Sequence, residues 1–527
     1  MAVRVFSTTL LGIDAVPIDV ETEVMVGLRR FNIVGLPDGV VKEAKDRVRC
    51  SLENSGFQFP HEEVVVSLAP AALPKIGSGF DVAIALSVLA ASGGIDPVVL
   101  DGKVFVGELA LDGRIKEVGS ELGSAIQVLR SKKANTLVVS SSARKLLECF
   151  DGLSVFYVST LFDLVTHLKN GTLEEQSLSS EVSEVKCLSR RIEILTFKDV
   201  VGQHAAKRAL QVAAAGAHNL LMIGPPGAGK TMLAERIISI LPPLEREEFL
   251  EVNQIYRSLI GQGVSGFSGN SIMERRPFRS PHHSTSLAGL VGGGSIPVPG
   301  ELTLSHKGVL FLDEFVELRR DVMESLREPL ESKRISISRA KIRLTYPCDF
   351  MLIAAMNPCP CGKRGLQVSL EKRALSRYRP LCECSPHVFQ RYIGKLSGPI
   401  MDRLDIQLWV PQVPFSELRS HSASDITSEL HDGVLRARAI QLNRFQKSGK
   451  LNCSMSTSDL REYCRLDTGS ELLLDAASKK FNFSARSYSR ILKLARTIAD
   501  LDESKAISST HIAEAISYRM DISTCNA

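Results

Sequence analysis

The chain has 527 residues, too many for one compact core, and its length points to three or four domains. With 44% hydrophobic residues, 23% charged residues and a net charge of +5, its composition excludes disorder and collagen-like repeats, and the mild basicity permits a nucleic-acid partner without requiring one. No run of eighteen apolar residues occurs and no export signal opens the chain, so a soluble cytoplasmic protein without membrane contact is expected, its 11 cysteines reduced or bound to metal rather than paired in disulfides.

In chain order, residues 1–170 alternate strand-like runs (Glu63 to Leu68, Lys103 to Gly107, Thr136 to Ser140) with helical runs such as Asp81 to Ala91, which predicts an α+β domain. Residues 171–196 are polar and acidic and read as a linker. From 197 to 411 the nearly all-apolar runs Asn219 to Ile223, Gly308 to Leu312 and Phe350 to Ala354 sit between helical segments, as buried parallel strands do. Residues 412–527 carry helical spacing in five segments: Glu417 to Gln446, Thr457 to Arg465, Ser470 to Lys480, Ala485 to Asp500 and Ser509 to Arg519. The predicted class is α/β: a parallel sheet with a helical C-terminal lid, preceded by the α+β domain.

The run Gly224, Pro225, Pro226, Gly227, Ala228, Gly229, Lys230, Thr231 follows an apolar strand and opens a predicted helix, Met232 to Leu241. Such a loop lets backbone N–H groups and the helix dipole meet phosphate oxygens, Lys230 reach the β- and γ-phosphates, and Thr231 ligate Mg²⁺. ATP and Mg²⁺ are therefore the expected cofactors. The strand Val309 to Leu312 ends in Asp313 and Glu314; Asp313 is expected on Mg²⁺ through water, and Glu314 as the base that orients and deprotonates the attacking water. Asn357 ends the next apolar strand and suits sensing of the γ-phosphate. An oligomeric ATPase can complete its site with a guanidinium from a neighbouring subunit, which assigns Arg403 as a finger in trans and Arg486 as a sensor in cis.

The order of Arg276 to His283, Gly292-Gly-Gly294, Pro299-Gly-Glu301, Leu310 to Glu314, Asn357-Pro-Cys-Pro-Cys-Gly362 and Gly398 to Arg403 resembles the magnesium-chelatase-like AAA+ ATPases of the YifB/ComM family, over nearly the whole chain. That resemblance implies an N-terminal domain similar to the Lon protease domain, an AAA+ core and a helical lid, assembled as a hexameric ring motor. It also implies action on branched or single-stranded DNA as a helicase that drives branch migration in homologous recombination and natural transformation. The alternatives are a remodeller of protein partners and a metal-chelatase motor subunit. Leu73 to Gly79 and Val106 to Ile115 look like the Lon catalytic segments, yet the nucleophile position falls on Gly79, beside Ser78, and the lysine position near Leu122, so proteolysis is not expected.

Two further features stand beside the resemblance. Between Glu314 and Asn357 a β-alternating stretch carries Lys333, Arg334, Arg339, Lys341 and Arg343, which suits a basic hairpin gripping phosphates without reading bases. The glycine-rich loop from Pro281-His-His to Gly292-Gly-Gly is a second candidate for a pore or interface loop. Cys359, Cys361, Cys382 and Cys384 form two Cys-x-Cys pairs that can give four thiolates to a structural Zn²⁺ or remain reduced thiols; His387 is a substitute ligand, and the segment 366–379 between the pairs reads as an insertion.

Overall fold

The computed structural model describes residues 2–73, 75, 77–130, 136–147, 154–171, 176–177, 195–259, 272–294, 297–338, 343–364, 382–413, 425–446, 449–481 and 483–519. Among them no helix is long and apolar enough to cross a membrane. Most of the expected linker, the insertion 366–379, and Arg339 and Lys341 lie outside the described residues.

The N-terminal region forms an eight-stranded mixed sheet. Its long antiparallel pair, Val3–Leu11 with Asp14–Met25, is flanked on one side by Glu63–Ala69 and Phe31–Val34 and on the other by Lys103–Phe105, Thr136–Ser140, Ser154–Val158 and Gln176–Ser177. Glu63–Ala69 alternates between buried and half-buried positions, because one sheet face meets helices. The helix Asp81–Ala91 is buried from Asp81 to Ala90 and packs on the long pair. Such an all-round apolar helix belongs in the centre of a core.

The second sheet has five strands in the order Phe278–Arg279, Val309–Leu312, Met351–Met356, Leu220–Ile223, Ile406–Trp409, all parallel. Its three central strands are buried along their whole length, which their unbroken apolar sequences require. Because these strands are parallel neighbours, the residues that follow them (Gly224, Asp313 and Asn357) emerge side by side at one end. The expected basic hairpin follows as Arg334–Ser338 paired antiparallel with Arg343–Pro347. Ile335, Ile337, Leu344 and Tyr346 are buried, while Arg334 and Arg343 are exposed. Lys333 departs from the expectation: its ammonium is held by Asp349 at 2.9 Å and by Ser454 at 3.0 Å at the base of the hairpin.

The C-terminal helices are Thr427–Arg444, Thr457–Tyr463, Thr468–Phe481, Ala485–Leu501 and Ser509–Ser517, with Ser456 and Ser484 capping the second and fourth. Of the first expected segment, residues 417–424 lie outside the described residues, and the described helix starts at Thr427. Inside this bundle Asp500, fully buried, accepts hydrogen bonds from Arg444 at 2.7 Å, Arg496 at 3.1 Å and Asn452 at 2.8 Å. The bundle meets the second sheet at the end opposite Gly224. There His218, buried, bridges Asp405 Oδ2 at 3.2 Å and Thr497 Oγ1 at 2.8 Å, and Arg490 reaches Asp405 Oδ1 at 3.0 Å. Burial pushes the Asp405 carboxyl up, but the His218 hydrogen bond and the Arg490 charge outweigh it and hold the group well below the usual carboxylate range. The two sheets are joined through the helix Arg246–Arg257, where Arg257, 3% exposed, pairs with Glu117 and, at 3.5 Å, with Glu121, and Gln254 donates to the Ile13 carbonyl at 2.6 Å.

Candidate nucleotide site and cysteine cluster

The loop from Gly224 to Gly229 is shaped by its glycines. Gly227 and Gly229 have φ of 75° and 85°, a region only glycine enters without strain, and open space lies where a Cβ would stand, so an anion can approach the backbone there. At Gly224 a Cβ would stand 2.3 Å from the Val410 carbonyl oxygen, so the close approach of two parallel strands fixes that position. A helix begins at Lys230 and runs to Glu235 before tightening into a 3₁₀ turn through Ser239.

Lys230 Nζ donates to the carbonyls of Gly224 at 2.7 Å and Pro225 at 3.0 Å and to Asn357 Oδ1 at 3.2 Å. Burial lowers its pKa and the nearby Asp313 carboxylate opposes that shift. A phosphate oxygen is a stronger acceptor for this ammonium than the neutral oxygens that hold it here. Thr231 Oγ1 donates to Asp313 Oδ2 at 3.0 Å. A hydroxyl beside a carboxylate, both of oxygen, matches the donor set Mg²⁺ takes. Pro225, Pro226 and Ala228 complete the cradle, with Gln412 donating to the Pro226 carbonyl at 3.1 Å.

Glu314 has φ 49° and ψ 42°, a left-handed conformation costly for a residue with a Cβ, and strain of this kind clusters at functional positions. Its carboxylate Oε2 lies 2.8 Å from His283 Nδ1. The sequence marked the Pro281-His-His loop only as a pore or interface candidate; nothing local could have paired residues 31 positions apart.

Arg403 lies at the opposite end of the sheet, before the strand Ile406–Trp409. It bonds Glu331 and donates to the Pro399 carbonyl at 2.5 Å. Arg486 is exposed and lines the same cleft with Arg403, Glu331, Arg490 and Lys493. The structure therefore does not bring Arg486 to the phosphate loop of its own chain, against the expectation of a role in cis: Arg490 on Asp405 ties the start of the helix Ala485–Leu501 to the Arg403 end.

The four cysteines converge. Cys359 Sγ lies 3.3 Å from Cys361 Sγ and 3.6 Å from Cys382 Sγ, Cys361 and Cys382 are 3.6 Å apart, and all four sulfurs fall within 4.8 Å of one another. His387 is exposed and is no member of this group. In the N-terminal sheet region Gly79, which has no side chain to act as a nucleophile, stands where a Cβ would lie 3.5 Å from Ser120 Oγ, and Ser78 is hydrogen-bonded to Glu108.

Comparison with known proteins decides the family. Residues 196–418 match the family model described as magnesium chelatase, subunit ChlI; residues 20–143 match that of subunit ChlI of Mg-chelatase, and residues 424–519 match its C-terminal part. Over 516 residues the chain is 38% identical to the protein YifB of Escherichia coli (strain K12), covering 98% of this chain and 96% of the relative. Over 517 residues it is 39% identical to the competence protein ComM of Haemophilus influenzae, covering 98% and 97%. The chain belongs to the YifB/ComM family. YifB/ComM proteins are magnesium-chelatase-like AAA+ ATPases, and the five-stranded parallel sheet with its helical C-terminal region is the fold that membership requires. A weaker likeness, 28% identity over 209 residues to Lon protease 2 of Bacillus subtilis, covers 36% of this chain and 37% of that one.

Proposed function

We propose that this chain is an ATP- and Mg²⁺-dependent ring motor acting on DNA, driving branch migration during homologous recombination and DNA uptake. The observation that carries the reading is that the candidate residues fall at the two ends of a single sheet. Lys230, Thr231, Asp313 and Asn357 meet at one end, while Arg403 and Arg486 share a cleft at the other. Neither arginine serves its own phosphate loop, so a closed assembly of copies supplies both in trans to the neighbouring subunit.

Thr231 and Asp313 would hold Mg²⁺, which would supply positive charge against the phosphate oxygens. Backbone N–H groups around Gly227 and Gly229 orient the phosphates with Lys230. Glu314, released from His283, takes a proton from the water that attacks the γ-phosphorus as the bond to the β–γ bridging oxygen breaks. Asn357 positions that water. The exposed Arg334 and Arg343 give the hairpin a cationic face, which supports phosphate binding without base contacts. A relative matched over 97% of its length carries the name competence protein, which supports DNA as the substrate.

Steady-state ATP turnover measured without DNA and with single strands, duplex and a four-way junction tests the reading. Stimulation greatest with branched or single-stranded forms is expected, and none in Glu314→Gln. A chelatase motor subunit is the second reading, favoured by the descriptions of all three matched segments; intrinsic turnover indifferent to every DNA would move the assignment there.

A further inference from the structure

The cysteine cluster is built onto the nucleotide site through the backbone. Asn357, the acceptor of Lys230 Nζ at 3.2 Å, is followed directly by Pro358 and Cys359. The turn after Cys359 closes with Gly362 N–H donating to the Cys359 carbonyl at 2.9 Å, and Gly362 has φ +73°. A Cβ at Gly362 would stand 2.6 Å from Cδ of Pro226, so this turn lies flat on the phosphate loop. From the other side Tyr392 Oη donates to the Asn357 carbonyl at 3.1 Å, and the Arg364 guanidinium carbon sits 3.8 Å from the centre of the Phe389 ring.

The sulfurs themselves are arranged for one ion. A tetrahedral thiolate site with metal–sulfur bonds of about 2.3 Å sets its sulfurs about 3.8 Å apart. Three pairs here lie at 3.3 to 3.6 Å and Cys384 falls within 4.8 Å of the others, so movements of up to about 1 Å complete the tetrahedron. The backbone N–H groups of Arg364 and Lys363 hydrogen-bond the sulfurs of Cys359 and Cys361, the outer support that orients metal thiolates. Cys359 is buried and Cys361, Cys382 and Cys384 half-buried, which keeps bulk water from competing.

We propose that Cys359, Cys361, Cys382 and Cys384 bind one divalent ion of the zinc class and that this ion fixes Asn357 and the turn on Pro226, so that ATP hydrolysis requires the metal. The ion joins Cys359 and Cys361 to Cys382 and Cys384 across an interval of 20 residues, adding a bond between segments that Tyr392 and the Arg364–Phe389 contact already bring together. The coupling rests on the ATPase reading; the metal site does not.

The test measures zinc content, affinity for a fluorescent ATP analogue and turnover in the full chain. The chain is measured as purified, after stripping with a thiol mercurial and chelator, and after refilling with Zn²⁺. One zinc per chain is expected, with an about tenfold or greater fall in turnover on stripping, the order of loss that misplacing a catalytic group produces, and recovery on refilling. Refilling with Co²⁺ should give thiolate charge-transfer absorbance, lost in the Cys382→Ser/Cys384→Ser variant. Lys230→Ala should keep its zinc while losing nucleotide binding, which separates the two readings. No metal after refilling would overturn the site, and stripped protein with unchanged turnover and affinity would overturn the coupling. A zinc-loaded chain that never hydrolyses ATP would defeat the ATPase reading, and the coupling would then be read from nucleotide affinity.

Discussion

Glu314 faces a histidine rather than empty space, and this shapes what single substitutions should do. His283 Nδ1 holds its carboxylate at 2.8 Å. Lys230→Ala should abolish binding of an ATP analogue, while Glu314→Gln should bind it as the parent does with turnover lower by about a hundredfold or more, the scale of a lost general base. His283→Ala should leave analogue affinity within about twofold and change the catalytic constant, since the partner it removes touches the base and not the cradle; unchanged turnover would reject a restraining role. The phosphate-loop residues were legible in the sequence because their chemistry is contiguous, one turn between one strand and one helix. The His283–Glu314 contact was not, because it joins the ends of two neighbouring strands that only sheet pairing brings together.

The hairpin of Arg334–Ser338 and Arg343–Pro347 shows what a period-two pattern does and does not specify. Alternation put Ile335, Ile337, Leu344 and Tyr346 on the buried face and Arg334 and Arg343 on the open one, as the spacing predicts. It could not show that Lys333 stops one residue short of the hairpin, in a left-handed turn, and turns its ammonium to Asp349. That carboxyl is pushed up by burial but brought down to about 2 by Lys333 and Lys307. Because its pKa is depressed, the stability it contributes is present above about pH 4 and is lost as pH falls towards 2. Replacing Arg334, Arg339, Lys341 and Arg343 by Gln should weaken duplex binding and flatten its salt dependence by up to about four charges while leaving ATP affinity unchanged. Lys333→Gln should lower thermal stability instead. DNA affinity and a melting curve on both variants separate gripping from bracing, and undiminished DNA affinity in the first would reject the hairpin as a contact.

At the scale of the molecule the sequence announced the three kinds of segment but not how they meet. Period and apolar runs located the three central parallel strands and the last four lid helices to within a few residues, as at Ala485–Leu501 against the expected Ala485 to Asp500, but not the short edge strands Phe278–Arg279 and Ile406–Trp409. Which end of the sheet the lid approaches is written in Asp405, His218, Thr497 and Arg490, drawn from distant parts of the chain, and so Arg486 was assigned to the wrong end. The lid's own integrity rests on Asp500. Removing it in Asp500→Ala takes the carboxylate from Arg444 and Arg496 and leaves their charges with neutral acceptors only, and chemical denaturation should read a loss of about 3–5 kcal/mol. A loss below about 1 kcal/mol would mean that water reaches those guanidinium groups.

The seam at Arg257 has a mechanical consequence. Parting Arg257 from Glu117 and Glu121 would leave a guanidinium in a nearly dry joint, so the helix Arg246–Arg257 and the sheet built on Val3–Leu11 resist separation far more than a hinge of exposed polar contacts would. The N-terminal region is thus coupled to the second sheet as a stiff strut rather than through a hinge.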